Sequence, residues 1–242
     1  MSALHLAMWS GPRNISTAMM RSWENRGDCA VVDEPLYAHY LRQTGLDHPG
    51  REEVIAAGET DWRKVAAQLV GPVPGGRAIF YQKHMTHHLL PHIGRDWLGQ
   101  LTHVFLIRDP RRVLLSYVKS RPTVTAEDIG VIQQLEIFNY VRGLSGVDPP
   151  IIDSAEFLQA PERHLRALCS RLKIDFRPSM LHWPAGPRAS DGVWAPHWYD
   201  SVYKSTGFEP YVDAPLQVPQ GFEAILAQVM PAFERLYALR MR

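Results

Sequence analysis

"WSGPRNISTAMMRSW" spans residues 9–23 and follows the apolar run "LHLAMW" at 4–9. A run of strand length thus meets a helix-like segment through glycine, proline, arginine and hydroxyl residues. That is the pattern of a phosphate-binding turn. The first N–H groups of a helix have no partner, the helix dipole adds partial positive charge, and an arginine adds a planar fork of donors. The loop runs from Ser10 to Thr17, with Arg13 as its cation and Ser16 and Thr17 as hydroxyl donors. The same residues also fit a capped helix after a turn, with Ser16 or Asn14 as the cap. The nucleoside-triphosphate pattern G-x-x-x-x-G-K-[ST] is not met, because position 16 is Ser and Ala18 follows Thr17. A magnesium-dependent triphosphate site is disfavoured on that ground.

Working outward, short apolar runs alternate with helix-like segments. Strands are predicted at 4–9, 29–35, 78–85 and 102–110, and "PPIIDSAEFL" (149–158) opens with another. Helices are predicted at 15–27, 61–70 with Asp61 as N-cap, 88–100 interrupted by Pro91, and 110–120 with proline in its first turn. Further helices are predicted at 125–144, where Thr125 and Asp128 stand in capping-box positions, at 161–174, and from about 220 to 239. Residues 45–61 read as a connection with at most a short helix. In "PERHLRALCSRLKI", Leu165, Leu168, Cys169 and Leu172 share one face. Residues 177–221 are rich in Pro, Gly, Trp and Tyr and read as a long irregular lid or substrate segment. Alternating strands and helices argue for a parallel sheet of about five strands covered on both faces. No linker divides the 242 residues, so one domain spanning 1–242 is expected.

A second motif lies in "VFLIRDPRRVLLSY" (104–117). Arg108 ends a buried strand, and Ser116 sits eight positions later on the following helix. Both can converge on one anion at the rim of a parallel sheet, where ligands bind. Equally, Arg108 could pair with a neighbouring carboxylate. On these residues the sequence resembles the sulfotransferases that use 3′-phosphoadenosine 5′-phosphosulfate (PAPS). The family's 5′-phosphosulfate loop matches Pro12, Arg13, Asn14, Ile15, Ser16 and Thr17. Its 3′-phosphate motif matches Arg108 and Ser116, and residues 151–174 look like its stretch after the next strand. The likeness covers roughly 4–175, and "GPRNIST" is similar to a divergent bacterial and plant branch. Ile15 replaces the family's loop glycine, which predicts helical or extended backbone there. Asn14 replaces its usual serine.

The resemblance implies an α/β protein of the P-loop type, with three α/β/α layers around a parallel sheet. It implies sulfuryl transfer from PAPS to a hydroxyl or amine of a small-molecule acceptor, with no metal required. Arg13 would meet the leaving group, loop residues 12–17 would hold the 5′-phosphate, and Arg108 and Ser116 the 3′-phosphate. Lys83 would stand near the leaving group. For the base, two alternatives stand. One is a histidine of "KHMTHH" (83–88), with His84 foremost although it is one residue out of the family's register. The other is Glu34 in "VVDEPL", at the end of the second strand and on Arg13's rim. Glu34 could instead pair with Arg13 or cap a helix. The aromatics of 183–208, with Arg188 and Lys204, suit stacking on adenine or a flat acceptor, though Trp183 and Trp194 could equally plug the core. Acceptor selectivity is expected from residues 36–75 and this late segment.

Composition limits the rivals. Net charge is +1, with 26 basic and 25 acidic side chains, so no global field favours nucleic acid and any anion site is local. Cys29 and Cys169 lie far apart in apolar surroundings, which argues against a disulfide framework and for a reducing cytoplasm. No signal peptide and no membrane span are read. A kinase-like phosphotransferase with Asp33 or Asp109 on magnesium, and a non-catalytic nucleotide-binding module, stay as alternatives.

Overall fold

The computed structural model describes residues 3–118, 123–213, 215, 216, 218 and 220–242. Five parallel strands form one sheet in the order β2-β3-β1-β4-β5: β1 (Leu4–Ser10), β2 (Cys29–Asp33), β3 (Ile79–Met85), β4 (Thr102–Ile107) and β5 (Ile151–Asp153). The helices are α1 (Ser16–Glu24), α2 (Tyr37–Thr44), α3 (Arg51–Ala57), α4 (Trp62–Val70), α5 (Pro110–Tyr117), α6 (Ala126–Ile129), α7 (Val131–Ser145), α8 (Ser154–Gln159), α9 (Pro161–Arg171), α10 (Ala195–Trp198), α11 (Asp200–Lys204) and α12 (Glu223–Ala238).

The strands are apolar along their length because both faces are covered. On one face Leu6, Met8, Tyr81, Val104 and Leu106 pack against Met19, Met20 and Trp23 of α1 and Leu165, Leu168 and Cys169 of α9. On the other, Ala7, Trp9, Phe80 and Phe105 meet Leu69 of α4, Phe138 of α7 and Phe233 of α12. Each such side chain contributes about 1.5–3 kcal/mol on full burial. The architecture is thus α/β with three layers, as the alternating pattern predicts.

Two expectations need correction. The stretch 88–100 is not an α-helix. It folds as short 3-10 turns at Thr86–His88 and Asp96–Gln100. Pro91 lacks the N–H a helix needs, and Gly94 packs under Trp62 so closely that a Cβ would lie 2.9 Å from its ring. The stretch 125–144 is two helices. The Thr125–Asp128 capping box is present, but Gly130 turns left-handed (φ 74°) and separates α6 from α7. That turn lets Gly11 approach Ile129, whose carbonyl oxygen would stand 2.6 Å from a Cβ at residue 11. Helix α5 starts at Pro110 as expected, while Lys119 and Ser120 of that reading lie outside the described residues. The late segment 177–221 is irregular apart from α10, α11 and a 3-10 turn at Pro178–Leu181, with residues 214, 217 and 219 outside the description. Among the described residues, no helix is long and apolar enough to cross a membrane.

Candidate active site

At the C-terminal rim of the sheet a cavity of about 400 Å³ is lined by the loop after β1, by Arg108 and Ser116, by Glu34 and Lys83, and by the late aromatic segment. Its anion-facing end is built by β1 and α1. Helix α1 has no side-chain cap and no acidic residue in its first turn, and its opening residues Ser16, Thr17 and Ala18 line the cavity. The side chain of Asn14 bridges the loop to β4: Nδ2 donates to the Leu106 carbonyl (3.1 Å) and Oδ1 accepts from the Ile15 amide (2.8 Å). Ile15 has φ −84°, the helical side of the map, as its branched side chain requires. The left-handed position in the loop is Arg13, with φ 54°. Held there, Arg13 Nε donates to Ser116 Oγ at 2.8 Å, and Arg108 donates to the Arg13 carbonyl. The predicted residues of the two motifs therefore meet. Burial, then the charges of Arg112 and Arg13, push the Arg108 pKa below its usual value. An anion placed among these guanidinium groups would reverse that repulsion.

Beside β2 and β3 the cavity meets a buried charge cluster. In the β2–β3 register Asp33 stands beside Lys83. Lys83 Nζ donates to Asp33 Oδ1 (2.8 Å), Glu34 Oε1 (2.6 Å) and Tyr199 Oη (2.8 Å), and Tyr199 Oη donates to Asp33 Oδ2 (2.6 Å). Burial opposes the ammonium of Lys83. The carboxylates of Asp33 and Glu34 outweigh it, so its pKa is raised well above the usual value. Burial raises the Glu34 pKa against the pull of Lys83. Glu34 also has positive φ, 43°, which turns its carboxylate away from the strand and into the cavity. A non-glycine residue in this region costs about 1–3 kcal/mol and points to a site that needs it. Glu34 pairs with Lys83 rather than with Arg13.

The histidines separate by strand alternation. His84 points to the other face of the sheet from Lys83. It stacks on Trp9 (ring centroids 4.3 Å), is 1% exposed, bonds Gln82 (3.2 Å) and lies outside the cavity lining. Burial pushes its pKa down to about 3. The structure does not bring His84 to the site. His88 does line it, stacked on Tyr37 (4.7 Å, 4° between planes), with Nδ1 3.9 Å from Glu34. Burial holds His88 neutral, well below its usual pKa.

The late segment is fastened as a wall. Two guanidinium nitrogens of Arg21 in α1 lie 2.7 and 2.8 Å from the two carboxylate oxygens of Asp191, both side chains buried. Arg188 pairs with Glu24 at 2.6 Å. Trp194, Trp198 and Tyr199 line the cavity, whereas Trp183 is core, packed on Phe208 and bonded to Ser205. The sequence offers Asp33 only as a magnesium candidate and does not pair it with Tyr199. Tyr199 lies 166 positions from Asp33, and no local signal links them. The magnesium alternative finds Asp33 committed to Lys83 and Tyr199, and Asp109 committed to capping α5 and to Arg111. Among the described residues no three His, Cys, Asp or Glu side chains gather as a metal site.

A parallel sheet ordered 2-3-1-4-5, with a basic loop opening the helix after its central strand, defines a phosphate-loop α/β protein. The chain belongs to the sulfotransferase domain family, whose model matches residues 4–240. Two Arabidopsis thaliana proteins, named branched-chain-amino-acid aminotransferase-like proteins 2 and 1, are 36% and 38% identical over 228 residues. The matches take in 94% of this chain and 40% of each relative, so the chain spans less than half their length and their names describe much longer proteins. Among solved structures, a sulfotransferase from Alicyclobacillus acidocaldarius aligns with a TM-score of 0.57 at 13% identity, covering 100% of this chain and 98% of that one. The sulfotransferase domain of a Synechococcus olefin synthase aligns at 0.55 and 14% identity, covering 97% and 96%. At such identity these likenesses bear on the fold.

Proposed function

We propose that the protein transfers a sulfuryl group from PAPS to a hydroxyl or amine of a small acceptor. The observation that carries this reading is a cavity with two unlike linings: Arg13, Arg108 and the uncapped start of α1 in one part, and a buried Glu34–Lys83–Asp33 cluster beside β2 and β3 in the other. The residues present fit PAPS, since Arg13, Arg108 and the opening amides of α1 offer donors for its phosphates and repel one another without an anion. When bound, PAPS supplies the activated sulfuryl group.

This chain's own residues then have distinct tasks. Loop residues 12–17 bind the 5′-phosphate, with the hydroxyls of Ser16 and Thr17 beside the α1 amides. Arg13, set by its bond to Ser116, offsets negative charge as it develops on the departing phosphate oxygen. Arg108 and Ser116 serve the 3′-phosphate. Glu34 receives the acceptor's proton. Its raised pKa makes it a better base than an exposed carboxylate, and Lys83 holds its oxygen at 2.6 Å. Asp33 and Tyr199 position Lys83. The aromatic wall excludes water.

Titration calorimetry with 3′-phosphoadenosine 5′-phosphate (PAP) tests the assignment. Arg13→Ala and Arg108→Ala should each weaken PAP about tenfold or more, the loss of roughly one charged hydrogen bond. If both variants keep wild-type affinity, the site is misplaced.

A further inference from the structure

The acceptor end of the cavity has a charge balance of its own. Three permanent cations line the cavity among the described residues, Arg13, Arg108 and Lys83, beside the titratable rings of His48, His87 and His88. The two arginines are tied to Ser116 and to the loop carbonyl. Lys83 is consumed by two carboxylates and a phenol within 2.8 Å. One ammonium thus faces two carboxylates, and Glu34 turns an oxygen toward the cavity. An anionic acceptor would meet Glu34 with no unspent permanent cation to receive it, and like charges so placed exclude wrong ligands.

The walls here are aromatic. Tyr37 and Trp194 meet edge-to-face, with ring centroids 5.0 Å apart and planes at 87°, and Trp198 completes the side. Tyr37 is stacked on the neutral His88. Aromatic side chains next to a carboxylate that shares its one ammonium with Asp33 are the chemistry that receives organic cations. The cavity also has to hold the nucleotide within its 400 Å³, which keeps the acceptor small.

We propose that the acceptor is a small alcohol carrying an ammonium group, its positive charge held between Glu34 and the Tyr37–Trp194–Trp198 wall. The inference rests on the transferase reading for the word acceptor; the charge preference stands on the cavity alone. The test is calorimetry on the full chain with and without saturating PAP. The probes are choline, protonated ethanolamine, the neutral carbon isostere 3,3-dimethyl-1-butanol, and 3-hydroxypropanoate. The expected result is that at least one cation binds about tenfold or more tightly than the isostere and that the anion does not bind. Glu34→Gln should bring cation and isostere toward parity. The half-buried Trp198→Leu should do so in part and guards against a folding defect in the first variant. Equal or tighter binding of the isostere, binding of the anion with PAP saturating, or no binding of either cation overturns the proposal. Loss of PAP binding with the ammonium preference intact would instead overturn the transferase reading and leave the charge preference standing.

Discussion

Two residues carry backbone strain where the proposed chemistry needs it. Arg13 and Glu34 both take positive φ at the ends of β1 and β2, and both line the cavity. Only glycine adopts such φ without cost. Arg13→Gly should therefore raise stability by about 1 kcal/mol, within the range of a relieved left-handed residue, while weakening PAP. A urea melt beside calorimetry checks both; unchanged stability would remove the strain argument. Lys83 is the reverse case. Replacing it by Met leaves Asp33 and Glu34 adjacent and buried without a counterion, which should cost about 3–5 kcal/mol. A near-neutral urea midpoint would mean that water reaches the cluster and that the pair is not held as described. That loop residues 12–17, Arg108 and Ser116 line one cavity was foreseeable from the sequence, because each stands at a strand end or on the next helix. His84 was misleading for the same local reason: strand alternation carries it behind the sheet, against Trp9.

At the scale of elements, the strands were readable because parallel strands buried on both faces are unbroken apolar runs. The helix expected at 88–100 failed because Pro91 and the close approach of Gly94 to Trp62 outweigh its apolar spacing. The split at Gly130 comes from packing too, since that turn lies against Gly11 and Thr86. The function of the late segment was only half legible. Its aromatic content suggested a lid, yet its attachments are long-range: Asp191 to Arg21 and Tyr199 to Asp33. Asp191→Ala should free this wall. It leaves the buried Arg21 with only Glu24, at 3.8 Å, to face its charge, so up to about 3–5 kcal/mol of local stability is at stake. Hydrogen exchange should speed up across residues 183–204 more than across α1. A uniform increase over the whole chain would show that the ion pair supports the core rather than the wall.

For the whole molecule, the buried histidines set the acid limit. Burial pushes His84 down to about 3 and His103 to about 4. Trp9 Nε1 donates to His103 Nδ1 at 3.0 Å, so His103 offers its other nitrogen's proton to the Leu98 carbonyl at 2.8 Å. Both rings are neutral in the fold. The unfolded chain binds their protons from about pH 6.5 downward, and the folded chain does not. Stability therefore falls as pH drops from about 6.5 toward 4, by about 1.4 kcal/mol per pH unit for each histidine. His84→Gln should flatten the fall of the urea midpoint between pH 6.5 and 4.5. An unchanged slope would show that the proton load lies elsewhere.

The central claim is that the β1–α1 loop, Arg108 and Ser116 form one bisphosphate site on this fold. The most direct measurement is calorimetric titration with PAP in the absence of magnesium, beside ADP and ATP with magnesium. PAP should bind without the metal, and either magnesium nucleotide should bind at least tenfold more weakly. A preference for magnesium-ATP, or no binding of PAP, would contradict the claim.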